Sequence, residues 1–148
     1  MANNDSQYST GKSNNRGGYI RRREEMLASP AYRDLKPPAR CLLEEFQRKY
    51  RNNRCDLSIS TNDAKELLNV SEPTACKAFH ELSKHGFIVL TSGHLWQERL
   101  AREWRLTFEK YNGRQPTDEW RSWSPDRPFN SNGKIPTQKT GAESCVTY

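Results

Sequence analysis

The sequence predicts an α+β fold, mainly α, in which a three-helix core carries a β-hairpin and flexible tails extend from both ends. Three observations predict it. Of the 24 Leu, Ile, Val and Phe in the 148 residues, 19 fall between positions 35 and 108, so one half of the chain can build a core and the other cannot. Within that span the apolar spacing changes from every third or fourth residue to every second residue, which is the change from helix to strand. The breaks between these runs carry helix start and stop residues at the offsets that capping requires.

Residues 1–18 are rich in Asn, Ser and Gly (Ser13-Asn14-Asn15-Arg16-Gly17-Gly18) and are expected to be a disordered arm. Residues 19–34 form a basic segment with room for one or two amphipathic turns, anchored by Met26, Leu27 and Tyr32. The domain itself is predicted at 35–108. Pro37-Pro38 opens its first helix, Ala39, Leu42, Leu43, Phe46 and Tyr50 line one face, and Asn52-Asn53 suits the stop. Leu57 and Ile59 alternate with polar residues, as in a short strand. Ser60 with Asp63 then reads as a capping-box variant at the start of a second helix, whose buried face is Ala64, Leu67 and Leu68. Asn69 suits a left-handed turn.

Ser71 caps a third helix with Pro73 in its first turn, and Ala75, Ala78, Phe79 and Leu82 face inward. Lys84 and His85 occupy its last turn, and Gly86 lies just past the end. Phe87 to Thr91 and Glu103 to Phe108 read as two strands, with Trp104, Leu106 and Phe108 on one face and residues 92–102 as the loop between them. Residues 109–148 are a polar, partly disordered extension, in which Trp120 and Trp123 either cover the domain or pair with a second chain.

Composition excludes several classes. No apolar run approaches the roughly 20 residues that span a bilayer, and the first 18 residues lack the apolar core of a signal peptide, so a cytoplasmic protein without membrane contact is expected. Cys41, Cys55, Cys76 and Cys145 contain no CxxC pair, so free thiols are expected, with Cys76 on an exposed helix face. His80, His85 and His94 lack ligand spacing, so no metal and no cofactor are expected. There is no phosphate-binding glycine loop, nucleophile elbow or HExxH, and the chain does not read as an enzyme. The net charge of +6 comes mostly from residues 1–40, with Arg21, Arg22 and Arg23 at the centre of the excess, and a basic arm beside a nearly neutral domain suits nucleic acid.

The order helix, strand, helix, tight turn, helix, hairpin is that of a winged helix-turn-helix domain. Leu67-Leu68-Asn69-Val70-Ser71, followed by Thr74, Ala78, Leu82, Gly86 and Ile88, carries the turn between the two helices. Residues 61–91 resemble the reading head of bacterial winged-helix regulators of the GntR and MarR types. A longer stretch resembles a family of small helix-turn-helix proteins of alphaproteobacterial genomes, plasmids and phages. Its motifs are Ser29-Pro30-Ala31-Tyr32-Arg33, His85-Gly86-Phe87-Ile88, Glu103-Trp104-Arg105-Leu106-Thr107 and Pro116-Thr117-Asp118-Glu119-Trp120.

The resemblance implies double-stranded DNA as partner, with the helix from Ser71 to His85 in the major groove. Ser71, Thr74, Lys77 and His80 would come from that helix, Arg99 and Arg102 from the wing, and Arg21, Arg22 and Arg23 from the arm. Glu72 departs from the arginine often found in the first turn; it is repelled by phosphate but can accept from cytosine. The expected function is sequence-specific DNA binding, in transcriptional regulation or in plasmid or phage replication, with a homodimer suiting palindromic half-sites. The alternative is a winged-helix protein–protein interaction module, an accessory protein or a phage-encoded inhibitor, kept open by ten basic and nine acidic residues between 41 and 108. The sequence names no small-molecule effector.

Overall fold

A computed structural model describes residues 19–50, 57–92 and 102–127. The expectations for 1–18, Asn52-Asn53, His94, Arg99 and 128–148 lie outside the described residues. Two short helices, α1 (Glu24–Leu27) and α2 (Pro30–Asp34), precede α3 (Pro37–Lys49). Ser29 joins the first two, accepting the Tyr32 N–H at 3.2 Å and donating its hydroxyl to the Met26 carbonyl at 2.6 Å. This turn buries Met26 and Ala31 rather than Leu27. Helix α3 begins at the two prolines and buries Ala39, Leu42, Leu43 and Phe46 completely.

The chain continues through β1 (Leu57–Ser58), α4 (Thr61–Leu68), α5 (Glu72–Lys84), β2 (Ile88–Ser92) and β3 (Glu103–Leu106). The capping box at α4 is complete: Asp63 N–H donates to Ser60 Oγ at 3.0 Å, and Ser60 N–H donates to the Asp63 carboxylate at 3.1 Å. Hydrogen bonds from Ser60 hold the Asp63 carboxyl below the usual aspartate range. The Asp63 half of the box is therefore fully in place above the ordinary aspartate value and weakens as pH falls through the lowered one, whereas the Ser60 hydroxyl, the half worth about 1 kcal/mol, does not titrate there. Asn69 ends α4 in the left-handed conformation, at φ 54° and ψ 51°.

The three strands form an antiparallel sheet in the order β1-β3-β2. The central strand pairs Trp104 with Leu57 on one side and with Leu90 on the other, and Leu106 with Ile88. Trp104 therefore meets the helices from the middle of the sheet. Its ring stacks on Phe79 at 5.6 Å, and Phe46 meets Phe79 edge-on at 6.0 Å. The protein is thus α+β, with helices α3, α4 and α5 closed on one side by a small sheet.

Three expectations need correcting. Leu67 is 46% exposed, not inward; the contact with α3 and α5 is made by Ala64 and Leu68, one turn apart, and Leu67 sits off that line. The strands run 88–92 and 103–106 rather than 87–91 and 103–108. Cys76 is fully buried and disulfide-bonded rather than an exposed thiol, while Cys41 is free and exposed.

The core also reaches beyond 35–108 on both sides, because Met26, Ala31 and Trp120 belong to the same apolar cluster as Phe46 and Leu82. Thr107, fully buried, makes the junction. Its hydroxyl donates to the Gly86 carbonyl at 2.7 Å, and its own carbonyl accepts the N–H groups of Thr117 and Asp118, each at 2.9 Å. That brings the 3-10 turn Glu119–Ser122 back against the α5–β2 turn. Trp120, 3% exposed, lies parallel to Phe87 with centroids 6.3 Å apart. The guanidinium groups of Arg23 and Arg121 sit over its ring at 5.9 and 4.6 Å. Trp123 stacks on His85 at 4.5 Å. Of the two roles open to these tryptophans, the described residues show the first: they cover the domain.

Glu109 stands beside this seam. Burial pushes its carboxyl above the usual glutamate range, only partly offset by Arg23 and Arg21, and the Asp118 charge adds to the rise. A carboxyl whose folded value is raised favours the fold when protonated, and that contribution disappears as pH rises through the raised value. Glu109→Gln is therefore expected to raise the unfolding midpoint at pH 7. The gain should vanish below the ordinary glutamate range, measured by thermal melts across a pH series.

Candidate nucleic-acid interface

The pair α4–α5 presents the surface that the sequence singled out. Asn69 turns the chain, Val70 is half-buried between the helices, and Ser71 enters α5 with extended backbone at φ −69° and ψ 158°. The Ser71 backbone caps as expected, but its side chain does not: its hydroxyl meets that of Thr74 at 2.9 Å instead of a backbone N–H. Ala75, Ala78, Phe79 and Leu82 are buried as read from their spacing. Cys76 joins them, so the outward face is narrower than the sequence suggested.

Of the predicted contacts on α5, Ser71 and Lys77 are exposed, whereas Thr74 and His80 are half-buried. Glu72 is exposed, and the Glu81 carboxylate is engaged by the Lys36 backbone N–H at 3.0 Å. Lys65, on α4, is also exposed and was not singled out in the sequence. The exposed charges of the two helices are mixed, with Lys65 and Lys77 against Asp63, Glu66 and Glu72. Arg102 is half-buried at the entry to β3, and Arg99 lies outside the described residues.

The three arm arginines divide. Arg22, with its side chain 14% exposed, donates from Nε to Gln47 Oε1 at 2.7 Å and from Nη1 to the Tyr32 hydroxyl at 3.0 Å. Arg23 pairs with Asp118 at 2.7 Å and with Glu25 at 3.2 Å. These two guanidinium groups tie residues 19–34 to α3 and to the C-terminal return. Arg21 is exposed. The sequence showed a run of three cations, but not that Gln47 and Asp118, 25 and 95 residues away, would meet two of them.

Among the described residues no group of three or more His, Cys, Asp or Glu could hold a metal ion, and no helix is long and apolar enough to cross a membrane. No family model, no curated protein and no solved structure matches this chain.

Proposed function

We propose that this chain is a winged helix-turn-helix protein that binds double-stranded DNA through α5, as a transcriptional regulator or in plasmid or phage replication. One observation carries the reading. The antiparallel sheet order β1-β3-β2 joins a helix pair that turns at a left-handed Asn69 and feeds straight into the β2–β3 hairpin, and that is the arrangement which offers one helix to a groove and a wing beside it. The motif resemblance of residues 61–91 and the net charge of +6 support it. Ser71 at the N-cap of α5, Thr74 and Lys77 on α5, and Arg102 at the wing are the contacts proposed, with Arg21 as the phosphate contact from the arm. The reading is of a binding protein, as a homodimer on palindromic sites, and not of a catalyst.

Lys77→Glu tests it. Exposed on α5, this substitution should leave the melting curve nearly unchanged while weakening duplex binding at least about tenfold and lowering the salt slope by about one unit. Fluorescence anisotropy on genomic fragments over a salt series reads both. Wild-type protein that retains no duplex at low salt overturns the reading.

A second reading, docking to a protein, is favoured by one observation: Leu67 is 46% exposed on α4, amid charges of both signs. It predicts binding that is flat in salt and abolished by Leu67→Asp.

A further inference from the structure

We infer that this chain has a second nucleic-acid surface, built without α5. Residues 19–21, the end of α3 and the turn at 109–114 hold a single strand there, with Lys110 and Arg114 on its phosphates and Tyr19 stacked on a base. The inference stands apart from the duplex-binding reading, since α4, α5 and the β2–β3 hairpin supply none of these residues. Three segments distant in sequence are joined on this side. Gln47 on α3 donates from Nε2 to the Arg21 carbonyl at 3.4 Å. The Tyr50 hydroxyl, at the end of α3, donates to the Lys110 carbonyl at 3.1 Å. Arg23 and Arg21 stand close enough to the Glu109 carboxyl to offset part of the rise that its burial causes. The stretch that follows is a tight turn. Tyr111 N–H donates to the Arg114 carbonyl at 3.1 Å and Arg114 N–H to the Tyr111 carbonyl at 2.8 Å. Between them Asn112 and Gly113 take φ 48° and 73°, the positive values that a two-residue hairpin turn of this hand requires. Lys110 and Arg114, both exposed, therefore flank a fixed turn.

The charge balance of this side is cationic. Arg21, Lys49, Lys110 and Arg114 are exposed. The carboxylates beside them already face cations: Glu44 meets Arg22 at 3.8 Å, Glu45 meets Arg48 at 3.2 Å, and Glu109 is half-buried next to Arg23 and Arg21. Tyr19, two residues before Arg21, is 68% exposed, and Ile20 is 44% exposed. Cations next to an open aromatic ring fit a single strand, whose phosphates meet the charges and whose unpaired bases offer a face to the ring. In a duplex those faces are covered by neighbouring bases. An acidic peptide would satisfy the cations but give Tyr19 nothing to stack on.

The test is fluorescence anisotropy of the full chain on a labelled single-stranded oligonucleotide of about 15 nucleotides, over a salt series. It compares wild type with the double variant Lys110→Gln/Arg114→Gln, with Tyr19→Ala, and with Lys65→Gln on the α4 side as a charge control, each checked by thermal melting. The double variant should bind at least about tenfold more weakly, with a salt slope shallower by about 1.4, two contacts at about 0.7 each. Tyr19→Ala should weaken binding about fivefold or more at an unchanged slope. Lys65→Gln should bind as wild type does, and polyglutamate should compete far less well than unlabelled strand. Wild type that holds no strand at low salt overturns the inference. So does a double variant or a Tyr19→Ala variant that binds as wild type does, or a Lys65→Gln loss as large as that of the double variant. Equal competition by polyglutamate assigns the surface to acidic protein and overturns it as well. Each of these outcomes leaves duplex binding by α5 to its own test with Lys77→Glu.

Discussion

Gly86→Ala is expected to destabilise the protein by about 3 kcal/mol or more, because two independent penalties act at one atom. Gly86 sits at φ +79°, where a side chain strains the backbone, and its added Cβ would stand 2.8 Å from both the Glu119 carbonyl carbon and the Trp120 nitrogen. Both neighbours are main chain, pinned through Thr107 by the two 2.9 Å hydrogen bonds to its carbonyl, so no side-chain rotation relieves the contact. The turn from α5 into β2 and the return of the C-terminal segment must then separate. For a domain of this size the loss corresponds to a fall in unfolding midpoint of about 10 °C or more, readable by calorimetry. A midpoint within about 2 °C of wild type would show that residues 119–122 do not lie against this turn.

Trp120→Ala should cost about 3–5 kcal/mol, the range for truncating a large buried aromatic side chain. The ring is one wall of the Phe87 stack and the surface under two guanidinium groups, and its indole N–H donates to Asp118 at 3.0 Å. Its removal leaves a cavity beside Phe87 and loosens the Arg23–Asp118 pair that anchors residues 19–34. Trp120→Phe keeps an aromatic face towards Phe87 but loses the indole N–H and one of the two fused rings, so it should cost less than the alanine variant. Urea unfolding of the three proteins gives the comparison. An alanine variant within about 1 kcal/mol of wild type would mean that the C-terminal return contributes nothing to the fold. On the present reading, a chain ended after Phe108 exposes Phe87 and should not fold stably.

The two substitutions bear on how far the sequence could be read. The elements between 37 and 106 were legible because each carries its own local signal. The prolines of α3, the Ser60–Asp63 box and Asn69 act within four residues of where they stand, and a short-range pattern needs no knowledge of the rest of the chain. Ala39, Leu42, Leu43 and Phe46 of α3 and Ala75, Ala78, Phe79 and Leu82 of α5 were legible for the same reason, since apolar periodicity records which face is dry, whereas buried Gln47 and Cys76 were not. Leu67 escaped because it belongs to a run of two leucines, and spacing alone does not say which of them meets a neighbour.

The candidate site was legible to the level of the helix and not of its contacts. Lys77 is exposed, as the helical spacing implied, but the half-burial of Thr74, the burial of Cys76 and the hydrogen bond from the Lys36 N–H to Glu81 depend on packing with residues distant in sequence. Arg22 and Arg23 are the clearest case. As letters they form a basic run indistinguishable from a solvated arm, and their partners Gln47 and Asp118 become visible only once the chain is folded.

What the amino-acid order determined alone is the succession of helices and strands, because capping, turn conformation and apolar spacing are decided among near neighbours. What folding decided is how far the core extends and which carboxylates and amides meet Arg22 and Arg23. A polar tail with two tryptophans has too few apolar residues to declare a core, yet Trp120 completes one begun by Phe87. An arginine's charge is written in the sequence, but the carboxylate or amide that occupies it is fixed by distance in space.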